Sequence, residues 1–128
     1  MNVFVDTSVW IDYFRNTGRA EVVELLIEEN LVVTNEMILA ELIPFLNQRK
    51  EFTLVALLGE ITRQPISINW DEIIRFQTNC LKHGVNGIGI PDLIIAQNAM
   101  QGKLKLLSND KHFISVSKLC GLELYLGT

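Results

Sequence analysis

Four carboxylates stand where an acid closes a strand, opens a helix or sits on an apolar stripe: Asp6, Glu41, Asp92 and Asp110. Asp6 ends the apolar run NVFVD, and Asp110 ends LLSND. Asp92 follows Pro91, and Glu41 lies in MILAELIPFL with Ile38 and Phe45 as neighbours at helical spacing. Each has an ordinary structural use. Asp6 could cap the next turn, Asn109–Asp110 suits a turn, and Asp92 complements a helix dipole. Glu41 is harder to dismiss, because an acid beside an apolar stripe costs free energy unless a charge meets it; the alternative is a boundary glutamate reaching water. Gathered in one place, four carboxylates repel one another and call for a cation. Oxygen donors suit hard ions, Mg²⁺ or Mn²⁺ more than zinc. Such ions can deliver a nucleophilic water to a phosphodiester and stabilise charge on both in-line oxygens. No Cys–His or Ser–His pair is spaced to supply a side-chain nucleophile instead.

These acids meet only if the chain between them brings them together. Residues 2–5 read as a first strand and 9–14 as a short helix, with Thr7 or Ser8 as its cap and Gly18 as its break. From Arg19 the stretch RAEVVELLIEEN has a helical period, and LVVT at 31–34 is a second strand. Asn35 offers a cap for EMILAELIPFLNQRK, which Pro44 should kink or divide. Glu36, in its first turn, reads as dipole compensation. A helix over about 51–62, a third strand PISI at 65–68 and an amphipathic helix over 70–82 follow. GVNGIGIPD is a glycine-rich loop, and Pro91 suits the first turn of DLIIAQNAMQ. KLKLLS is a fourth strand and LELYL a fifth. Alternating short strands and helices give the expectation of one α/β domain over 1–128. It would be a three-layer α/β/α sandwich on a mainly parallel sheet of four to five strands. In such sheets the functional crevice lies beyond the carboxyl ends of the strands, the edge where Asp6 and Asp110 emerge.

Composition is consistent with this. The chain has 128 residues, about one domain's worth, and is 48% hydrophobic and 20% charged, an ordinary globular mixture. Apolar runs are too short to cross a bilayer, and Asp6 and Asp12 interrupt any signal sequence. Cys80 and Cys120 lack zinc-ligand spacing and read as buried free thiols, so a cytoplasmic location is expected. The net charge of −4, from 15 acids and 11 bases, argues against broad electrostatic binding of nucleic acid. A cluster of four acids around a metal would leave the rest of the chain balanced.

The order DTS, AEL on a helix, PDLIIAQNA and LLSNDKHF resembles the PIN domain, a metal-dependent ribonuclease fold, over about residues 2–126. A lone domain of this length is similar to the VapC-type toxins of prokaryotic toxin–antitoxin pairs. The resemblance implies an Mg²⁺-dependent endoribonuclease, with Mn²⁺ as a substitute ion. Asp6 and Asp92 would be direct ligands, with Glu41 and Asp110 acting through water or a second ion. Thr7, Ser8 and Ser108 match small hydroxyl residues that would orient carboxylates or water. The family often carries a further acid two residues after the last aspartate, and here that position is His112. The resemblance also implies an RNA substrate, a homodimer, and a small antitoxin that blocks the cleft with a basic side chain.

Other readings fare less well. A haloacid-dehalogenase-type phosphatase needs an acid where Ser8 stands, and a response-regulator receiver needs an aspartate that PISI does not supply. A PIN nuclease of RNA processing or decay, or an inactive PIN-like module binding RNA or protein, remains open. Val23, Ile27, Phe52 and Leu58 extend apolar helix faces and are candidates for an interface. Arg15, Arg19, Arg49, Lys50, Lys82 and Lys111 are candidates to meet phosphates. His112 reads as a surface histidine, and His83 as helix-end compensation.

Overall fold

The computed structural model describes residues 2–127. Four strands form one sheet in the order β3-β2-β1-β4, and every pairing is parallel. β1 (Val3–Val5), β2 (Val32–Thr34) and β4 (Lys105–Leu107) are short. All three residues of β1 are buried. Successive strand side chains point to opposite faces, so both faces of β1 are covered, as a three-layer arrangement requires. In one group α1 (Thr7–Arg15) packs on both α2 (Ala20–Glu28) and α3 (Glu36–Gln48), and α3 packs on α4 (Phe52–Glu60); in the other, α5 (Trp70–Lys82), α6 (Ile90–Gln101) and α7 (His112–Cys120) pack together. Among the described residues, no helix is long and apolar enough to cross a membrane.

Three expected elements differ. The helix expected over 51–62 ends at Glu60, and Thr62–Arg63 instead form β3 against β2. PISI at 65–68 is no strand. The ladder stops after the Gln64 N–H donates to Thr34 O (2.8 Å), immediately before Pro65. The carbonyls of this segment turn to α6: Asn98 Nδ2 donates to Pro65 O (2.8 Å), and Gln101 Nε2 to Ser67 O (2.8 Å). The expected fifth strand, LELYL, reduces to one bridge between Leu106 and Leu124 on the outer edge of β4.

Two further points bear on the site. Pro44 lies inside α3 without dividing it. α7 was not anticipated, although Phe113 and Val116, both buried, stand at helical spacing. The interface candidates also resolve. Val23 and Leu58 are completely buried in the chain's own core and Ile27 packs against it, leaving only Phe52 exposed, at 62%.

Candidate functional site

β1 and β4 lie side by side, so the residues following them emerge together at the carboxyl edge of the sheet. Asp6 follows β1 directly and is buried. It occupies the cap position of α1, yet its side chain makes no cap hydrogen bond, and neither Thr7 nor Ser8 is the cap. The carboxylate is held elsewhere. Ser8 Oγ donates to Asp6 Oδ2 (3.0 Å), and Ser108 Oγ donates to the same oxygen (2.7 Å). Both hydroxyls therefore converge on one oxygen, which leaves Oδ1 for another partner.

An open cleft of about 580 Å³ is lined by Asp6, Thr7, Ser8, Glu41, Asp92 and Asp110, with Ile11, Met37, Pro91 and Ile95 as its apolar part. All four sequence-derived acids are brought to it. Glu41 comes from α3, whose start is fixed by Asn35 Oδ1 accepting from the Ile38 N–H (2.8 Å). Asp92 stands in the first turn of α6, after Pro91. Asp110 is set by its own turn: its N–H donates to Ser108 Oγ (3.0 Å), and its Oδ1 accepts from the His112 N–H (2.9 Å).

The electrostatics show the cost of this convergence. Glu41 titrates above the ordinary glutamate range, first through desolvation and then through repulsion from Asp6 and Asp92. Asp92 is raised likewise, by desolvation and then by the charges of Asp110 and Asp6; His112 and the Gly89 amide oppose the rise without cancelling it. Thr7 Oγ1 is buried without a hydrogen bond of good geometry, though it lies close enough to Glu41 to oppose that rise slightly. Crowded hard oxygen donors and an orphaned hydroxyl in one cleft fit a hydrated divalent cation.

Several contributors were not singled out from sequence. Asn109 links the two edges: its N–H donates to Ser8 Oγ (3.1 Å), and its Nδ2 donates to Asp12 Oδ2 (2.8 Å). Asp12 in turn lies against Gly18, where a Cβ would come within 2.4 Å of Asp12 Oδ2. A buried pair ties the helices that carry two of the acids. Asn35 Nδ2, at the start of α3, donates to Asn98 Oδ1 of α6 (2.9 Å). Polar residues inside DLIIAQNAMQ were the available signal.

His112 is a correction. It is partly exposed, but its ring stands beside two of the acids: Asp92, Asp110 and His112 each offer a ligand atom within 4.8 Å of the others. The start of α7 turns the ring back over Asp110, and the spacing alone did not reveal this. His83 does sit at the end of α5, with Nδ1 2.8 Å from Asn79 O. Among the basic candidates, Arg19 and Lys111 line a smaller pocket of about 130 Å³ beside Asp110. Arg15 and Arg49 line a groove with Phe14 and Phe45, Arg49 lying 4.5 Å from the Phe45 ring centroid. Lys50 and Lys82 are exposed.

A family model described as "PIN domain" matches residues 3–119. No curated protein matches the chain by sequence. Solved structures do match by fold. A chain of VapBC2 from Rickettsia felis, bound to a DNA fragment from their promoter, is 21% identical with a TM-score of 0.75, and the match covers 98% of each chain. A chain of VapBC-1 from nontypeable Haemophilus influenzae is 22% identical with a TM-score of 0.69, covering 98% of this chain and 97% of that one. A chain of FitAcB from Neisseria gonorrhoeae is 21% identical with a TM-score of 0.66, covering 96% of each.

Proposed function

Because the chain belongs to the PIN domain family, we propose that its cleft is the active site of an Mg²⁺-dependent endoribonuclease, with Mn²⁺ able to substitute. The observation that carries this reading is the convergence of Asp6, Glu41, Asp92 and Asp110 on one open cleft at the carboxyl edge of a parallel sheet. A divalent cation held there would offset the carboxylate repulsion and would supply an activated water and charge stabilisation at the scissile phosphate. Asp6 and Asp92 would be its direct protein ligands, and Glu41 and Asp110 would act through water or a second ion. Ser8 and Ser108 hold Asp6 Oδ2 so that Oδ1 is presented to the ion. Thr7 offers its unpartnered hydroxyl to water beside Glu41. Arg19 and Lys111, flanking Asp110, are the basic residues best placed to meet the RNA backbone.

The test is cleavage of a pool of cellular RNAs by purified protein, with the new ends sequenced. Excess EDTA abolishes cleavage and added Mg²⁺ restores it; undiminished cleavage in EDTA rejects the reading. In thermal melts, Mg²⁺ at a hundredfold excess over its dissociation constant stabilises the protein by ~2.7 kcal/mol.

In the cell, we infer, the chain is the toxin of a toxin–antitoxin pair, a reading supported by its likeness to chains of VapBC structures. Its partner is a small cognate antitoxin that places an arginine against one of the four acids. A neighbouring gene for a small protein with a basic or apolar tail supports the toxin; its absence favours RNA processing or decay. The toxin also forms a homodimer. The apolar face for it is not the set expected from sequence. Trp70, Ile74 and Leu81 share one face of α5 and are 57%, 62% and 55% exposed. Light scattering at micromolar concentration will give twice the chain mass, and a monodisperse monomer rejects the dimer.

A further inference from the structure

We propose that His112 gives an imidazole nitrogen, beside the carboxylates of Asp92 and Asp110, to one divalent-cation position of the cleft, and that this nitrogen biases the position towards a first-row transition ion over Mg²⁺. The inference rests on the reading that the cleft holds a divalent cation. It concerns which ion is preferred and what selects it.

The ring is held where a ligand would be. The His112 N–H donates to Asp110 Oδ1 (2.9 Å), and His112 Nδ1 lies 3.5 Å from that same oxygen. At 3.5 Å the ring and the carboxylate are too far apart for a strong hydrogen bond. Both are substantially exposed, at 44% and 39%, so an ion pair between them contributes little. The separation does suit two donors on one ion. Around an octahedral ion with bonds of ~2.1 Å, ligand atoms lie about 3.0 Å apart when adjacent and about 4.2 Å apart when opposite. The Asp92, Asp110 and His112 donors, all within 4.8 Å, need only a small contraction to reach that range. On the other side, the far edge of the ring faces Gly87, where an added Cβ would lie 3.8 Å from His112 Nε2.

Donor type then sets preference. Mg²⁺ favours oxygen ligands and near-ideal octahedral geometry. Imidazole suits later ions better, and affinity at mixed nitrogen and oxygen sites rises from Mn²⁺ across the row. A carboxylate at position 112 would make the donor set all oxygen; the histidine makes it mixed.

Mn²⁺ added to the metal-free protein is the probe, read by electron spin-echo spectroscopy for ¹⁴N coupling and by calorimetry for affinity. The chain has only two histidines, so His83→Ala serves as the control. The expected result is ¹⁴N modulation in the parent and in His83→Ala that disappears in His112→Ala. In His112→Asp, the preference for Mn²⁺ over Mg²⁺ falls roughly tenfold or more. Mn²⁺ that binds the parent without ¹⁴N coupling, or a preference unchanged in His112→Asp, overturns the role of His112 and leaves the metal-dependent reading standing. If neither Mn²⁺ nor Mg²⁺ binds, both fall.

Discussion

Replacing Asp92 with asparagine will cut RNA cleavage by at least about 10²-fold, the scale of losing one fixed group that stabilises transition-state charge. The same change will leave the metal-free protein at least as stable as the parent at neutral pH. The two effects share a cause. Desolvation and the charges of Asp110 and Asp6 hold the Asp92 carboxyl above its ordinary range, so the folded protein binds this proton more tightly than the unfolded chain does. Its stabilising contribution is complete below the unfolded value of about 3.9 and is lost as pH rises through the folded value. Near pH 7 the metal-free parent carries the full cost of the charge, and Asp92→Asn does not. Melts of both proteins at acid and neutral pH, with and without Mg²⁺, separate the possibilities. The advantage of the variant should shrink towards pH 3, and its gain from Mg²⁺ should be much smaller than the parent's. A variant less stable than the parent at neutral pH without metal, with an undiminished response to Mg²⁺, would mean that Asp92 merely favours the start of α6.

Asn98→Ala will be among the most destabilising single changes in the protein, costing about 3 kcal/mol. Asn98 is buried and uses both ends of its amide, accepting from Asn35 Nδ2 and donating to Pro65 O. Alanine leaves a buried donor and a carbonyl without partners, at ~1–3 kcal/mol each. Against a typical total of ~5–15 kcal/mol this is a large fraction, and the melting temperature should fall by roughly 10 °C. Gln101→Ala is the matched control. It removes the bond to Ser67 O on the exposed side of the same segment, and it should cost under about 1 kcal/mol, since the exposed Ser67 carbonyl left behind recovers water. Activity supplies a second readout. The Asn35–Asn98 bond joins the helix bearing Glu41 to the helix bearing Asp92, so Asn98→Ala should lose activity even where it is fully folded. A loss of stability no greater than that of Gln101→Ala would overturn this account.

These two residues also mark how far the sequence could be read. Asp92 was legible because Pro91, after a glycine loop, suits the first turn of a helix, and strand-ending acids at 6 and 110 pointed to the same edge. Asn98 was not. A polar residue in a helical run normally faces water, yet Gln97 and Asn98 are both 1% exposed. Beyond the side chains of Asn35 and Glu72, their partners are backbone groups of 65–69, a segment whose composition suggests a strand. Gln97 pairs with Asn69 in both directions, accepting at 3.1 Å and donating at 3.0 Å. Side-chain amides here replace a sheet ladder, and no local pattern announces the exchange. The failure at His112 is of the same kind. Its position follows from the turn at Ser108–Asp110 and from the start of α7.

The tether between Ser108 and Asp6 spans 102 positions. Synthesis delivers Asp6, Glu41 and Asp92 well before it delivers Ser108 and Asp110. β1 can pair with β2 early, but its other neighbour, β4, arrives only with residues 105–107. Until then Asp6 lacks one of its two hydroxyl donors, and the cleft lacks a wall. If the cleft cuts RNA as proposed, a nascent chain that has not yet delivered Ser108 and Asp110 spares the message it is read from. Any such activity waits for residues 105–110 to take their places beside β1.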